Sequence, residues 1–277
     1  MAKTFTVQDF FKRFPDDDAC LDHLMKVRHG EALDCPKCGK HGKFHRLRKE
    51  PAYVCQWCGH HVHPMAGSFL ERSHTPLQKW FYAMYLFCTT RHGVSAKELQ
   101  RQLGVTYKTA WRMGHQIRKY MAETDGDSGL SGHVEADETY IGGRKSRSRS
   151  DGTTGRGTSN KTIVFGVVER DGEVITRVVP RANTASLIPP IVENVKKGST
   201  ISTDEWHPYK RLPKHGFAHL TVNHSADEWV NGEAHTNTIE GYWSILKRSI
   251  RSTHVHVSAK HLPKYLGEFE YRYNLRK

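Results

Sequence analysis

The sequence predicts an α/β protein with a helical, cysteine-containing first part and a second part built on a mixed sheet. Two observations predict this division. Apolar residues recur with the helical period over residues 76–121, whereas short alternating or β-branched segments separated by turns begin at residue 133. Between them, AETDGDSGLSG at residues 122–132 is polar and glycine-rich, so we predict a linker there.

Charge is the main compositional signal. The 277 residues include 42 Lys and Arg against 29 Asp and Glu, a formal net charge of +13. This excess favours a polyanionic partner, most simply nucleic acid, over the alternative of a merely basic soluble protein. No apolar run approaches the roughly 20 residues of a membrane span. The start, MAKTFTVQDFFKRF, lacks the apolar core and cleavage site of a signal peptide, so we expect a cytoplasmic protein without membrane partners.

Two C-x-x-C pairs stand in the first part of the chain. Sixteen residues separate the pairs, and a glycine follows each one; the four cysteines are Cys35, Cys38, Cys55 and Cys58. This spacing predicts a zinc ribbon over residues 31–64, with one structural Zn²⁺ held by four thiolates. A redox C-x-x-C would not occur twice with matched glycines. Residues 1–30 form a separate helical segment in this interpretation.

Residues 65–121 predict three helices. The first is apolar, from about Pro76 to Thr90; Ser95 caps the second, and Thr106 opens the third after a break at Gly104. A short helix, a glycine turn and a basic helix are typical of a helix-turn-helix. An ordinary three-helix packing unit is the alternative. In the DNA-binding interpretation, the third helix presents Tyr107, Lys108, Arg112, His115 and Arg118 to DNA.

The second part predicts a mixed sheet with helices packed on it. HVEADETYIGG is a strand, and two further strands join at Asp171-Gly172. A helix over TASLIPPIVENVKKG, a strand ending on Asp204 and a strand over FAHLTVNHS follow, which gives the order β-β-β-α-β-α-β-loop-α. Residues 144–161 are cationic and lack periodicity. They predict a loop that is disordered or ordered by DNA, or else a solvated hairpin loop.

The helix HTNTIEGYWSILKRSIR, residues 235–251, has two contrasting faces. Its apolar stripe consists of Ile239, Tyr242, Trp243, Leu246 and Ile250, and its polar stripe of Glu240, Ser244, Lys247 and Arg251. A carboxylate therefore heads a row of cations. A capping box between Asn237 and Glu240 is the structural alternative.

Three carboxylates in the second part of the chain are suitable ligands for divalent metal ions. Asp137 lies in the first strand, Asp204 ends the fourth, and Glu240 lies in the first turn of the later helix. Phosphodiester cleavage can use two hard cations held by such oxygen ligands, with one cation activating the nucleophile and the other stabilising the leaving oxygen. A single Asp at a strand end is usually a cap or a surface residue. The three together, with Lys247 two turns beyond Glu240, favour a metal site.

The chain resembles bacterial insertion-sequence transposases that join a zinc ribbon to an RNase H-like DDE domain of the ISXO type. The resemblance runs from about residue 15 to the end and is carried by CPKCG, YVCQWCG, VEADETYIGGR, STDEWHPY, HTNTIEGYWSILKR and HLPKYLGEFEYRYN. It implies an RNase H-like domain over residues 133–277, with Asp137, Asp204 and Glu240 as catalytic ligands of two Mg²⁺ or Mn²⁺ ions. Thirty-five residues separate Asp204 from Glu240, a spacing found in many DDE recombinases.

The resemblance also implies partners and residue roles. Lys247 is expected to contact the end of the element, and Arg251 extends the same face toward DNA phosphates. Some relatives use asparagine as the third residue, which makes Asn237 the rival of Glu240. The expected activity is binding of terminal inverted repeats, cleavage of a strand, and attack of the freed 3′-hydroxyl on target DNA. Joining two ends requires at least a homodimer on DNA, in the bacterial nucleoid.

Two other functions fit part of the sequence. A sequence-specific regulator derived from an inactive transposase would bind the same DNA without cutting it. A related nuclease would hydrolyse DNA without strand transfer. The regulator leaves the three acids and their spacing unexplained. The nuclease has the same chemistry, and only the zinc ribbon and the family motifs favour a transposase over it, by resemblance.

Overall fold

A computed structural model describes residues 5–30, 33–124, 129–142, 161–223 and 230–276. The cationic loop predicted at 144–161 therefore lies outside the described residues, except for Lys161. The chain divides into two compact units, residues 1–90 with 96–116 and residues 91–95 with 117–277. Within the described ranges, no helix combines the length and apolarity needed to cross a membrane.

The first unit combines helices with very short strands. Its helices are α1 (Val7–Arg13), α2 (Asp17–His29), α3 (Leu77–Thr89), α4 (Ala96–Leu103) and the start of α5 (Tyr107–Thr124). Its strands are β1 (Leu33–Asp34), β2 (His41–Gly42), β3 (Phe44–Arg46), β4 (Tyr53–Cys55) and β5 (His61–Val62). The three helices predicted between residues 76 and 121 are confirmed, with Gly104 at φ +60° ending α4.

Local hydrogen bonds explain where the first two helices begin. Thr6 and Asp9 form a capping box at the start of α1, and Asp16 accepts a bond from the Ala19 N–H at 2.8 Å to begin α2. Such caps satisfy backbone donors that have no partner within a helix. In the ribbon, β1 pairs with β2, and β3, β4 and β5 form an antiparallel sheet.

The second unit is built on a five-stranded mixed sheet, which confirms the predicted α/β class and mixed sheet. The strands are β6 (His133–Ile141), β7 (Thr162–Glu169), β8 (Val174–Val179), β9 (Thr200–Asp204) and β10 (Ala218–Val222). Their order across the sheet is β10-β9-β6-β7-β8. The consecutive strands β6, β7 and β8 are antiparallel, whereas β9 is parallel to both β6 and β10. The longest strand, β6, is therefore central.

Helices cover both faces of this sheet. On one face, α6 (Thr184–Asn194) and a 3-10 helix (His207–His215) pack on alternate strand residues such as Val134 and Ala136. The other face carries α7 (Asn237–Ser249), a π-helical turn (Ile250–His254) and α8 (Leu262–Asn274). Ile239, Tyr242, Trp243, Leu246 and Ile250 are all buried there, so the predicted apolar stripe is confirmed.

Side chains of α8 cover the open edge of β8. Glu270 Oε1 accepts the Thr176 N–H at 2.6 Å, and Asn274 Oδ1 accepts the Val174 N–H at 2.8 Å. An edge strand with unpaired backbone groups is a site of aggregation, and covering it removes that hazard.

A glycine in β7 allows α7 to lie close to the sheet. Gly166 pairs with Asp137 of the neighbouring strand, and the indole of Trp243 lies directly over it. A Cβ atom at Gly166 would come within 2.5 Å of Trp243 Cη2. The missing side chain therefore makes the space that the tryptophan ring occupies.

We expect Gly166→Ala to displace Trp243 and to destabilise the second unit by roughly 1–3 kcal/mol, the usual cost of overpacking a core. Urea unfolding followed by tryptophan fluorescence would measure this. Gly241→Ala is the matched control, because a Cβ there meets nothing within 4 Å and alanine favours a helix. Equal or greater stability of Gly166→Ala would contradict the proposed packing.

Candidate active site

Two predicted catalytic carboxylates occupy neighbouring strands. The parallel strands β6 and β9 pair Glu135 with Ser202. The pairing ends there, and Asp137 and Asp204 each follow two residues later, on the side of the sheet that alternation gives to Glu135 and Ser202. Asp204 ends β9, where its Oδ1 accepts the backbone N–H of Trp206 at 3.0 Å. The fold thus brings together two acids that are 67 positions apart in sequence.

Asp137 lies in an environment that disfavours its charge. Burial, followed by the nearby carboxylates of Glu138 and Asp204, raises the pKa of Asp137 to about 7. Trp243 opposes this, because its indole N–H donates to Asp137 Oδ2 at 2.9 Å. The tryptophan thereby fixes the orientation of the carboxyl group. A cation between the carboxylates would relieve their repulsion, which makes the oxygen donors here suitable ligands for a divalent metal.

Glu138 is a third carboxylate close to this pair. Tyr209 is fully buried and donates its hydroxyl to Glu138 Oε2 at 2.7 Å. Burial raises the pKa of Glu138, and Asp204 adds to the effect, although the bond from Tyr209 opposes it. Glu138 was assigned no role in the sequence analysis. The signal was its place directly beside Asp137.

Glu135 attaches α7 to the sheet. It is fully buried, and its Oε2 accepts the backbone N–H groups of Thr238 and Ile239 at 2.8 and 3.1 Å. Its Oε1 accepts from Arg170 Nε at 2.8 Å and from the Thr238 hydroxyl at 2.9 Å. The Nδ1 atom of His235 lies 3.0 Å from the same oxygen. The start of α7 is thus held by a side chain from the central strand.

The capping-box alternative for Asn237 and Glu240 is wrong. The helix α7 begins at Asn237 and its N-cap residue is Thr236, which makes no side-chain capping bond. Glu135 instead satisfies the first N–H groups. The Thr236 hydroxyl donates to Glu240 Oε1 at 2.8 Å, and the Glu240 and Asn237 side chains are both exposed. Metal binding by Glu240, or by its rival Asn237, remains a prediction.

The predicted phosphate-binding cations follow Glu240 along the chain. Lys247 lies two turns further along α7 and is half-buried, and Arg251 lies in the π-helical turn and is exposed. Burial lowers the pKa of Lys247, whereas the nearby Asp137 carboxylate opposes this shift. Lys247 is therefore electrostatically linked to the carboxylate pair.

The four predicted zinc ligands converge in the first unit. Their sulfur atoms all lie within 4.8 Å of one another, with Cys35 Sγ 3.5 Å from Cys58 Sγ and Cys38 Sγ 4.0 Å from Cys55 Sγ. Four thiolates at such separations suit a tetrahedral Zn²⁺. The glycines after each pair, Gly39 and Gly59, have φ values of +67° and +72°. The tight turns of the ribbon thus require these glycines.

The predicted DNA-facing residues of α5 divide into two groups. Tyr107, Lys108 and Arg112 are exposed, whereas His115 and Arg118 are buried. The prediction for Arg118 needs correction. Its side chain is 3% exposed, its Nε donates to Glu268 Oε2 at 2.7 Å, and its Nη2 donates to the Val94 carbonyl at 2.8 Å. The Arg118 guanidinium is therefore paired with a buried carboxylate of α8, 150 positions away in sequence, and does not face outward.

Comparison with known families identifies the chain as a transposase. It belongs to the family described as the ISXO2-like transposase domain, whose model matches residues 129–274. A second model, described as a transposase zinc-ribbon domain, matches residues 15–61 and includes all four cysteines. The sequence-based resemblance is thus confirmed.

Individual relatives agree with this assignment. An uncharacterized protein in transposable element ISH50 of Halobacterium salinarum is 31% identical over 94% of this chain and 92% of its own length. An uncharacterized transposase-like protein of Haemophilus influenzae is 33% identical over 37% of this chain and 81% of its own length. Among solved structures, a simian T-cell lymphotropic virus intasome in complex with PP2A regulatory subunit B56 gamma matches at a TM-score of 0.32. That match has 12% identity and covers 69% of this chain and 65% of the other.

We expect Asp137→Asn to raise the stability of the magnesium-free protein at pH 8 by roughly 1–3 kcal/mol, because it removes a disfavoured charge and keeps an acceptor for Trp243. The pKa of about 7 in the folded protein lies above the ordinary value of 3.8 for an aspartate. The wild type therefore loses stability as the pH rises from about 4 to about 7, and the variant does not. Unfolding at pH 8 and at pH 5 without Mg²⁺ would show the gain shrinking at the lower pH. A gain independent of pH would contradict this account.

Glu135→Gln should destabilise the second unit by roughly 2–4 kcal/mol, because it leaves Arg170 without its buried anionic partner. Denaturant unfolding followed by circular dichroism would measure the loss. Glu193→Gln is the matched control, since Glu193 pairs with Arg177 at 2.8 Å with both side chains more than half exposed. Exposed pairs contribute at most about 1 kcal/mol. Equal effects of the two substitutions would refute the anchoring role.

Proposed function

We propose that this transposase cuts DNA at the ends of its own insertion sequence and joins the freed ends to target DNA. Asp137, Asp204 and Glu240 serve as the catalytic acids in this proposal. The observation that supports it is that Asp137 and Asp204 lie on adjacent parallel strands, close enough for the Asp204 carboxylate to raise the pKa of Asp137. Glu240 stands on α7, one turn before the Trp243 side chain that binds Asp137.

The arrangement of the sheet supports an RNase H-like assignment for residues 133–277. Three antiparallel strands are followed by two parallel strands that extend the sheet on the other side of β6. The first acid lies on the central strand and the second at the end of its parallel neighbour. Ligand sites in α/β sheets commonly lie at strand ends, where side chains from separate strands meet.

The acids would hold two Mg²⁺ or Mn²⁺ ions. Magnesium prefers carboxylate oxygens together with water and substrate phosphate oxygens. When bound, such cations supply a nucleophile at neutral pH and stabilise the leaving oxygen of an in-line displacement. The raised pKa of Asp137 fits a site built for added positive charge.

The protein's own groups have distinct tasks in this mechanism. Asp137 gives up its proton near neutral pH, and Trp243 holds the resulting carboxylate in one orientation. Tyr209 fixes Glu138 beside the pair. Lys247 binds a phosphate of the element end, and Glu240, which accepts a bond from the Thr236 hydroxyl, supplies the third carboxylate. The attacking groups are water and then a DNA 3′-hydroxyl, so no covalent bond between protein and DNA is required.

The first unit supplies DNA recognition in this proposal. The short helix α4, the turn at Gly104 and the basic helix α5 form the predicted helix-turn-helix, with Tyr107, Lys108 and Arg112 exposed for contact. The zinc ribbon adds further basic surface. Contacts to phosphate give salt-dependent affinity, and contacts to base edges give sequence preference. Two element ends must be held together, so we propose at least a homodimer on DNA.

The test is cleavage and joining of labelled duplexes that carry the DNA bordering the gene. We expect the wild type with Mg²⁺ to cut these duplexes and join them to a plasmid. Asp137→Asn, Asp204→Asn and Glu240→Gln should each lower the rate by more than about 100-fold, since even outer-shell partners of metal ligands are worth 10–100-fold. Glu193→Gln, an exposed carboxylate on α6, is the control and should keep full activity.

The alternatives give different results in the same assay. Specific binding with no cleavage by the wild type would indicate a DNA-binding regulator. Cleavage without joining would indicate a nuclease. Loss of activity in Asn237→Ala, with Glu240→Gln still active, would move the third catalytic role to Asn237.

A further inference from the structure

A basic cavity lies beside the carboxylate pair in the second unit. Its volume is about 250 Å³, several times the roughly 30 Å³ share of a water molecule. Tyr140 lines it from the end of β6, Lys247 from α7, Arg251 from the π-helical turn, and His256 from the segment that follows. Lys161 completes the cationic lining. The cavity thus has room for a group larger than a phosphate and charge suited to an anion.

The cations of the cavity lie close enough to repel one another. Burial lowers the pKa of Lys247, and the charges of Arg251 and Lys161 lower it further. A phosphate placed among them would offset this repulsion. The lining therefore favours a phosphate-bearing ligand over a neutral one.

A strained turn stands at the edge of this cavity. Val255 has φ +61° and ψ −51°, and the His256 N–H donates to the His254 carbonyl at 2.6 Å. These values define a γ-turn of the rare positive-φ kind. Valine is β-branched and adopts positive φ only under constraint. The turn directly follows the π-helical turn Ile250–His254, a feature often found at functional sites.

Buried neighbours on both sides hold the turn in place. The ring of His254 lies edge-on to Tyr265, with centroids 4.8 Å apart, and Val257 is buried in the core beneath α7 and α8. Between them, the Val255 side chain is 81% exposed. Because the residues on both sides are held by packing, the backbone of Val255 can keep its strained conformation. Backbone strain of this kind clusters at functional sites. The constraint holds an apolar side chain out in solvent beside a cationic cavity.

We propose, building on the function proposed above, that this cavity receives one nucleotide displaced from the stack of the DNA end. Val255 acts as the wedge that separates the nucleotide from its neighbour, and Lys247 and Arg251 bind its phosphate. Tyr140 supplies an aromatic surface for the base. Apolar wedges that unstack DNA and pockets that receive single nucleotides are established means of DNA recognition.

The test uses 2-aminopurine, a base whose fluorescence rises when it is unstacked. Duplexes of the DNA bordering the gene would carry it at one terminal position at a time, without divalent cation so that the DNA stays intact. We expect the wild type to raise the fluorescence at one position by at least about twofold, as extrusion of one base requires. Val255→Gly should abolish the rise and keep the affinity and its salt dependence. Glycine accepts positive φ without strain, so this variant folds at least as stably.

Two further variants separate the wedge from general effects. Val255→Leu keeps an apolar side chain and should keep the rise. Val230→Gly removes another exposed valine, 54% accessible, and should also keep it. A rise that survives in Val255→Gly would overturn the proposal. So would a wild type that cuts the unlabelled duplex with Mg²⁺ and raises the fluorescence at no position; that result leaves the proposed function standing. Neither binding nor cutting by the wild type would overturn both.

Discussion

The second unit depends on one buried carboxylate, that of Glu135. Glu135 accepts hydrogen bonds from backbone N–H groups in the first turn of α7 and from the Arg170 side chain. It lies on the central strand, two residues before Asp137. The positive end of a helix dipole favours a negative charge there. Because Glu135 and Asp137 point to the same face of β6, the strand that carries Asp137 also fixes the start of the helix that carries Glu240. Gly166 then lets Trp243 reach the sheet and bind Asp137.

The site combines charges that destabilise one another when nothing is bound. Carboxylates gather on the sheet, where the pKa of Asp137 is raised to about 7, and cations gather along α7 and the π-helical turn, where burial lowers the pKa of Lys247. Both shifts have the direction expected of groups buried near like charges. Groups whose charges destabilise the unliganded protein are typical of a site shaped for ligands of opposite charge, which in the proposed function are a metal cation and a DNA phosphate.

Features that depend on neighbouring residues could be predicted from the sequence. The C-x-x-C pairs, the turn at Asp171-Gly172 and the apolar stripe of α7 are local patterns, and the structure contains each of them. Features that depend on distant partners could not. Arg118 belongs to a basic helix and looked like a surface residue, but its partner Glu268 lies 150 positions away. Glu135 shares a face with Asp137 in the sequence pattern, whereas its bonds to Thr238 and Ile239 need the folded sheet.

Glu240, Trp243 and Lys247 all lie on α7, so the distance between Glu240 and Lys247 along the helix axis is fixed. An α-helix advances about 1.5 Å per residue, so Lys247 stands roughly 10 Å beyond Glu240 along the axis. A DNA strand advances about 3.4 Å per nucleotide along its duplex. For a strand lying along α7, that interval corresponds to about three nucleotides. In the proposed function, the backbone of α7 would therefore fix the distance between the cut and the phosphate that Lys247 binds.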